Sequence, residues 1–387
     1  MPAIRSGVQY SGNWTKSQQM QAIAAGTWTG IALSELYAWG DNGSGELGLG
    51  DTTTRSSPVQ IGALTNWSKP SVGQYHTLAT KTDGTLWSWG RNSNGQLGLG
   101  DTTDRSSPVQ IGALTNWLDV ASGAYYGLAT TTDGKLYAWG RNFGGSLGLG
   151  DTTNRSSPVQ VGSLTTWDKV AAGRFHSLVI KTDGTLYAWG YNVYGNLGLG
   201  DTTARSSPVQ VGALTTWTQA AGGKYHTLAV KTDGTLWSWG LNSNGQLGQN
   251  NTTNYSSPVQ VGALTTWLNV AAGYVHSLAV KTDGTLWAWG WNSSGRLGDG
   301  TTTQRNSPVQ IGALTTWDKI AGGKDFSAAI KTDGTLWSWG SNSDGQLGLG
   351  NITSYSSPVQ VGALTTWSTL PTMADSMSPI VLNTTTT

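Results

Sequence analysis

Short runs of alternating apolar and polar residues follow one another along most of this chain. The four runs around residue 180 are Lys169 to Ala172, His176 to Lys181, Thr185 to Trp189 and, just upstream, Pro158 to Val161. Each has the length and composition of a β-strand. Asp183 and Gly184 separate two of them, and an Asp-Gly pair between apolar runs is a strong hairpin signal. Beyond the first 25 residues no stretch has helical spacing of apolar residues, so the pattern predicts an all-β protein.

The same runs return every 50 residues without an insertion. A Trp-Gly dipeptide marks each copy, and a second tryptophan and an SPVQ segment keep step with it. The Trp-Gly tryptophans are Trp39, Trp89, Trp139, Trp189, Trp239, Trp289 and Trp339. A period of this length is typical of repeat proteins, in which each unit buries its surface against its neighbours.

Four strands in each of seven copies predict a seven-bladed β-propeller with four-stranded antiparallel blades. A parallel β-helix would need a shorter period, and the patterns of leucine-rich and helical repeats are missing. The first copy lacks the Thr-Asp-Gly turn, and a degraded eighth copy follows Trp367. We therefore expect the N- and C-terminal segments to meet and complete one blade, with the choice of closing strand left undecided.

The chain divides into three predicted regions. Residues 1–23 are expected to form an N-terminal arm or cap, where Thr15 to Gln18 has the form of a capping box and predicts a short helix. Residues 24–370 form the propeller, and residues 371–387 form a closing segment with a threonine-rich tail. The first region either attaches the ring to another subunit or shields the first blade, as terminal repeats do.

Composition narrows the possible functions. The 22 basic residues nearly balance the 21 acidic ones, which argues against a nucleic-acid partner. The absence of cysteine excludes disulfides, zinc-thiolate sites and thiol nucleophiles. No apolar run approaches the length of a membrane span, and the first residues lack the apolar core of a secretion signal. We expect no insertion into a membrane.

The repeat resembles that of the regulator of chromosome condensation family. The shared pattern is AGxxHSLAVKTDGTLWxWGxNxxGQLGLG, present in close form at residues 222–248 and 272–298. The resemblance implies a seven-bladed propeller over most of the chain. The founding member is a nucleotide exchange factor that uses an inserted wedge and chromatin-binding elements, and this sequence has neither wedge nor basic tail. Other relatives only bind proteins, including a bacterial inhibitor of β-lactamase. The near-identical copies and the segment Ser11 to Trp28 also resemble proteins encoded by marine and cyanobacterial phages.

Residues able to do chemistry are mostly tied to the repeat. His76, His176, His226 and His276 share one repeat position, which Tyr126 and Phe326 fill in two other copies. Equivalent positions around a ring cannot converge on one metal or substrate, so a structural role is expected. Six aspartates belong to hairpin turns, namely Asp83, Asp133, Asp183, Asp233, Asp283 and Asp333. We therefore predict a protein that is not an enzyme, with no catalytic residues, no cofactor and no metal.

Positions that differ between copies are the candidates for binding. Ten aromatic residues fall in two short windows, one after the Ala-Gly pair and one after Trp-Gly. In a four-stranded meander both windows lie on one face, opposite the Thr-Asp-Gly turn. With neighbouring cations, the predicted partner-binding residues are Trp28, Tyr75, Arg91, Tyr125, Arg141, Phe143, Arg174, Phe175, Tyr191, Tyr194, Lys224, Tyr225, Tyr274, Trp291 and Lys324. This composition is typical of binding hot spots, and drift of unconstrained loops is the alternative.

These observations favour a binding or structural protein that presents a rigid propeller face to a partner. We expect a phage virion component, such as a tail or capsid appendage, located in a virion or on an extracellular surface; the cytoplasm is the alternative. The expected partner is a protein or a host-surface glycan, with residues 1–23 available for neighbouring virion subunits. A lectin-like glycan-binding module is the first alternative. A GTPase exchange factor or chromatin adaptor is the second.

Overall fold

Strands account for nearly all the regular structure of the described residues. The computed structural model describes residues 32–373 and 375–386, and Ser34–Thr384 form one compact unit. The strands of the described residues are β1 (Ala32–Gly40), β2 (Arg55–Gln60), β3 (Trp67–Val72), β4 (His76–Lys81), β5 (Leu86–Gly90), β6 (Arg105–Gln110), β7 (Trp117–Ser122), β8 (Tyr126–Thr131), β9 (Leu136–Gly140), β10 (Arg155–Gln160), β11 (Trp167–Ala172), β12 (His176–Lys181), β13 (Leu186–Gly190), β14 (Arg205–Gln210), β15 (Trp217–Gly222), β16 (His226–Lys231), β17 (Leu236–Gly240), β18 (Tyr255–Gln260), β19 (Trp267–Ala272), β20 (His276–Lys281), β21 (Leu286–Gly290), β22 (Arg305–Gln310), β23 (Trp317–Gly322), β24 (Phe326–Lys331), β25 (Leu336–Gly340), β26 (Tyr355–Gln360), β27 (Trp367–Thr369) and β28 (Ile380–Thr386). Phe143–Gly145 form a short 3-10 helix.

The strands form seven four-stranded antiparallel sheets arranged as a ring. Six sheets are meanders of consecutive strands, from β3–β6 to β23–β26. First strands of adjacent sheets contact one another, which places them at the centre. Four of them, β11, β15, β19 and β23, line a central cavity of about 200 Å³. The predicted seven-bladed propeller is confirmed.

One strand assignment from the sequence was wrong. We expected Pro158 to Val161 to complete the blade that begins at Trp167. Instead, β14 (Arg205–Gln210) from downstream pairs with β13, and β10, which contains Pro158, belongs to the preceding blade. The fourth strand lies beyond a long loop, so proximity in sequence to the next tryptophan was misleading.

The seventh blade joins the two ends of the chain, as predicted. Its strand order is β2-β1-β28-β27, so two N-terminal and two C-terminal strands contribute equally. Trp367 pairs with Asn383, and Tyr37 pairs with Gln60. Side chains of Ile380 and Val381 in β28 are fully buried. Closure of the ring removes the free edge that an open array would present to another chain.

Tryptophans hold adjacent blades together. The indole nitrogen of Trp189 donates to the carbonyl oxygen of Ser146 in the preceding blade, at 2.9 Å, and five other Trp-Gly copies repeat this type of bond. The indole nitrogen of Trp89 is buried without a hydrogen-bond partner among the described residues. Trp217 of the first strand packs edge-on against Trp237 and Trp239, with ring centroids 6.3 and 6.0 Å apart. Burying one such side chain stabilises the fold by about 2–3 kcal/mol. These tryptophans form a framework within and between the blades.

Candidate functional site

The two variable windows of each blade lie against each other. One is the turn between the first and second strands, and the other follows the third strand. In the third blade the backbone nitrogen of Tyr191 donates to the carbonyl oxygen of Phe175 at 2.9 Å, joining the windows directly. Equivalent bonds join Arg91 to Tyr75 and Arg141 to Tyr125. Both windows therefore occupy one face of the ring.

The opposite face carries the Thr-Asp-Gly turns and the connections between blades. The backbone nitrogen of Trp217 donates to the carbonyl oxygen of Gly184 at 3.1 Å, which joins a turn to the neighbouring connection. The connections expose one leucine each, including Leu214 and Leu264. Because these residues recur in almost every copy, this face is nearly uniform, while the first face varies from blade to blade.

On the variable face, aromatic rings from four consecutive blades form a continuous cluster, which we call the aromatic arc. Its members are Tyr75, Tyr125, Phe143, Phe175, Tyr191, Tyr194 and Tyr225. The inner rings, Tyr125, Phe175 and Tyr225, come from successive blades. The Tyr125 and Phe175 centroids are 6.4 Å apart, and those of Phe175 and Tyr225 are 6.5 Å apart. Phe143 and Tyr194 fill the outer side, 4.9 Å from Phe175 and 5.0 Å from Tyr225 respectively.

Four cations lie over these rings. Arg91 is 5.7 Å from the Tyr75 centroid, and Arg141 is 5.3 Å from that of Phe143. Arg174 covers Phe175 and Lys224 covers Tyr225, while both also lie over Tyr274, at 5.3 and 4.6 Å. Arg174 and Lys224 thus connect Tyr274 to the arc, and all four cations are attracted to the electron-rich faces of the rings.

Most of the arc is half-buried by its own members. Phe143 is 41% exposed, whereas Tyr125, Phe175 and Tyr225 keep only part of their surface open. Rings held by one another lose little conformational freedom when a partner binds. The arrangement is a packed cluster of aromatic and cationic groups, in which neighbouring rings meet at angles from 23° to 70°.

Two predicted residues in the described part of the chain lie apart from the arc. Trp291 is 39% exposed and packs on Arg296 at 4.7 Å instead of on another ring. Lys324 lies beside the closing segment, where its backbone nitrogen donates to the carbonyl oxygen of Ser376 at 2.9 Å. Trp28 lies outside the described residues, as does the predicted arm of residues 1–23.

Sequence reasoning missed a buried carboxylate at the centre of the variable face. Asp375 belongs to the segment between β27 and β28, and its side chain is 3% exposed. Its Oδ2 atom is 3.6 Å from the Nε atom of Arg174. Burial raises the pKa of Asp375 to about 6, against the opposing effects of Arg174, Lys324 and Lys224. The signal in the sequence was that the eighth copy departs from the repeat where the others have their first window.

The histidines are structural, as predicted. All four are fully buried, and His176, His226 and His276 each place Nε2 within 3.2 Å of a Ser or Thr hydroxyl in the next blade. Burial lowers the pKa of His76 to about 4 and those of His176 and His226 to about 3, so they are neutral at physiological pH.

Other kinds of site find little support among the described residues. Within residues 32–373 and 375–386 no group of three or more His, Cys, Asp or Glu side chains could hold a metal ion. None of the helices there is long and apolar enough to cross a membrane.

Comparison with known families identifies the repeat. The profile described as "Regulator of chromosome condensation (RCC1) repeat" matches residues 34–80, 83–130, 133–180, 183–230, 233–280, 283–330 and 333–369. The chain belongs to this family. RCC1-type propellers are a binding and regulatory fold, and nothing in the comparisons indicates catalysis by this chain.

Solved structures with this fold include proteins from human and yeast. Human WBSCR16 is 22% identical, with a TM-score of 0.81 over 90% of this chain and 98% of that one. Prp20p of Saccharomyces cerevisiae, described with its binding to Gsp1p and histones, is 21% identical, with a TM-score of 0.79 over 91% of each chain. Yeast RCC1 (Prp20) bound by Kap60 is 21% identical, with a TM-score of 0.80 over 99% and 97%. At these identities the likeness shows the fold alone.

Proposed function

We propose that this chain is a non-enzymatic protein-binding propeller that docks its partner on the aromatic arc. The observation that supports this most is the contrast between faces. Repeats that agree almost everywhere differ in the two windows, and the differing residues come together as stacked rings with cations over them. Tyr, Trp and Arg dominate the energetics of protein interfaces because they bury large areas with few rotatable bonds.

Variants on the two faces would test this proposal. Phe143→Ala with Tyr191→Ala removes a stacked pair of rings from the arc, and Leu214→Ala with Leu264→Ala is the matched control on the opposite face. We expect a specific partner, captured from cells that produce the protein and identified by mass spectrometry, to be lost with the first pair and retained with the second. Loss with both pairs, or retention with both, would contradict the proposal.

The setting that we propose is a phage particle, with the protein as a tail or capsid appendage in the virion or on an extracellular surface. Support comes from the near-identical copies and from the segment Ser11 to Trp28, which resemble phage-encoded proteins. Residues 1–23 would then contact neighbouring subunits. Mass spectrometry of purified particles is the test, and absence of the protein from particles would overturn this setting.

A lectin-like module is the second candidate, because Trp291 and Phe143 expose about two-fifths of their surface and could stack on sugar rings. Binding on a glycan array that is lost in the Tyr191→Ala, Trp291→Ala double variant would favour it. An exchange-factor function, by analogy with the Gsp1p-binding Prp20p, has no inserted wedge in the described repeats to support it. We expect no acceleration of nucleotide release from small GTPases.

A further inference from the structure

The first windows lie just beyond the strand residues that line the central cavity, at what we call its mouth on the variable face. Backbone hydrogen bonds join the windows of successive blades there, as from Arg174 to Gly223 and from Lys224 to Tyr274. Arg174 of the third blade reaches across to hydrogen-bond the Tyr274 hydroxyl, two blades away, and approaches Asp375 of the closing segment. Lys324 of the sixth blade places Nζ 3.9 Å from the Met377 sulfur in the same segment. Residues far apart in sequence therefore converge on one point.

Positive charge exceeds negative charge at this mouth. Arg174, Lys224 and Lys324 all act on the single buried carboxylate of Asp375. Asp325 does not offset them, because its Oδ1 is 2.6 Å from Arg296 Nη1. In the described part of the chain, neither Lys224 nor Lys324 has a carboxylate within 4.0 Å.

The carboxylate of Asp375 is itself poorly held. Neither of its oxygens has a hydrogen-bond donor among the described residues, and the Nε of Arg174 is also without an acceptor. The cations around Asp375 attract a carboxylate to this place, but they do not form hydrogen bonds with the carboxylate of Asp375. Their capacity to donate hydrogen bonds to a carboxylate is therefore not used by Asp375.

We propose that the mouth of the central cavity binds a carboxylate from an acidic segment of the protein partner, held by Arg174, Lys224 and Lys324 in competition with Asp375. This inference rests on the proposed function, since Tyr225 and Tyr274, which lie under Lys224, connect the mouth to the aromatic arc. A partner that covers the arc would bring an acidic side chain directly over the unpaired lysines.

Competition with Asp375 makes the site sensitive to the charge of that residue. The charged or titratable groups that act on Asp375 are Arg174, Lys224, Lys324, Asp325 and Tyr125, and Tyr274 hydrogen-bonds to Arg174 beside it. Neutralising Asp375 leaves the cations free for the incoming carboxylate. Both the Asp375→Asn substitution and a fall in pH from 7.5 to 5.5, which leaves most glutamates ionised, should therefore strengthen binding.

Calorimetric titration of the full chain with an acetylated hexaglutamate peptide would test the proposal. At pH 7.5 we expect measurable binding, a loss of about tenfold or more in affinity for Lys224→Gln with Lys324→Gln, and a gain of about tenfold for Asp375→Asn. Lys69→Gln with Lys135→Gln, which changes net charge equally at exposed sites, should leave affinity unchanged. Wild-type protein should bind more tightly at pH 5.5, a measurement that depends on no substitution.

Several results would overturn the proposal. The first is that hexaglutamate does not bind, or that inorganic phosphate binds with the same lysine dependence while the peptide does not. The second is that both lysine pairs lower the affinity for the peptide equally. The third is that neither the Asp375→Asn substitution nor pH 5.5 raises that affinity. These outcomes are separable from failure of the proposed function. If partner capture depends on Phe143 and Tyr191 while hexaglutamate does not bind, the arc stands and the carboxylate site falls.

Discussion

Glu46 occupies a buried position at which three other repeats have glutamine. Its Oε2 accepts a hydrogen bond from the backbone nitrogen of Ser44 at 2.8 Å, as Gln96 Oε1 does from Asn94. Burial raises the pKa of Glu46 to about 7. The folded state therefore binds its proton more tightly than the unfolded state, and stability falls as pH rises from about 4.5 to 7.

Replacing Glu46 by Gln should stabilise the protein above pH 7, because the hydrogen bond is kept and the buried charge is removed. The gain in the free energy of unfolding should reach about 3 kcal/mol at pH 8 and vanish near pH 4. Urea denaturation at both pH values measures it, with Gln96→Glu as the converse control. Equal stability of the variant and wild type at pH 8 would contradict the assignment.

The buried histidines should make the fold sensitive to acid. Because burial lowers the pKa values of His76, His176 and His226 in the folded state, the stability they contribute is complete above about pH 6.5 and is lost as pH falls through 4 to 3. At pH 5, proton uptake by each of these three histidines in the unfolded state should lower the free energy of unfolding by about 2 kcal/mol. His176→Phe, which copies the residue that Phe326 supplies at the same repeat position, should reduce the proton uptake on unfolding between pH 7 and 5 by nearly one. An unchanged pH dependence in denaturation experiments would argue that His176 titrates normally.

At the scale of single elements, the Thr-Asp-Gly hairpin shows how local chemistry determines structure. Asp183 Oδ1 accepts hydrogen bonds from the backbone nitrogen of Thr185 at 3.0 Å and from its hydroxyl at 2.6 Å. Gly184 has φ of +77°, and a Cβ there would lie 2.3 Å from the carbonyl oxygen of Thr215. Because the bonds from Asp183 and the positive φ of Gly184 are local, the hairpin was predictable from sequence, whereas the close approach of Thr215 was not. The pairing of the fourth strand was not predictable in this way, because a long loop separates it from the third strand.

Two glycines allow strain and crowding to be separated. Gly212 has φ of +62° but open space where a Cβ would lie. Gly212→Ala should cost about 1 kcal/mol from backbone strain alone, whereas Gly184→Ala should cost at least about 2 kcal/mol more because the turn must move away from Thr215. Thermal denaturation of the two variants would check this. Similar losses would mean that the contact with Thr215 yields easily.

At the scale of the whole molecule, the ring depends on the blade shared by both ends of the chain. Sequence periodicity predicted the number of blades and the face of each window. It could not show that Asp375 meets Arg174 or that Tyr274 joins the arc, because those contacts cross the ring and follow from the direction of individual side chains. Trp291 has the same kind of repeat position as Tyr191, yet it packs on Arg296.

A disulfide would test the closure. The hydroxyl oxygens of Ser34 in β1 and Thr384 in β28 are 3.3 Å apart, and the chain has no cysteine of its own. Ser34→Cys with Thr384→Cys should form an intramolecular disulfide on oxidation and stabilise the fold by up to about 5 kcal/mol, since the closed loop spans most of the chain. Single-cysteine variants are the controls. Intermolecular dimers or free thiols in the double variant would contradict the shared blade.

The most direct measurement is photo-crosslinking from each face of the ring. A photoreactive phenylalanine analogue at Tyr191, on the aromatic arc, should capture a discrete partner in cells that produce the protein, and the capture should disappear when Arg141→Ala and Phe143→Ala are added. The same analogue at Leu214, on the uniform face, should capture none. The same partner captured from Leu214, or capture at Tyr191 that persists without Arg141 and Phe143, would contradict a binding function for the arc.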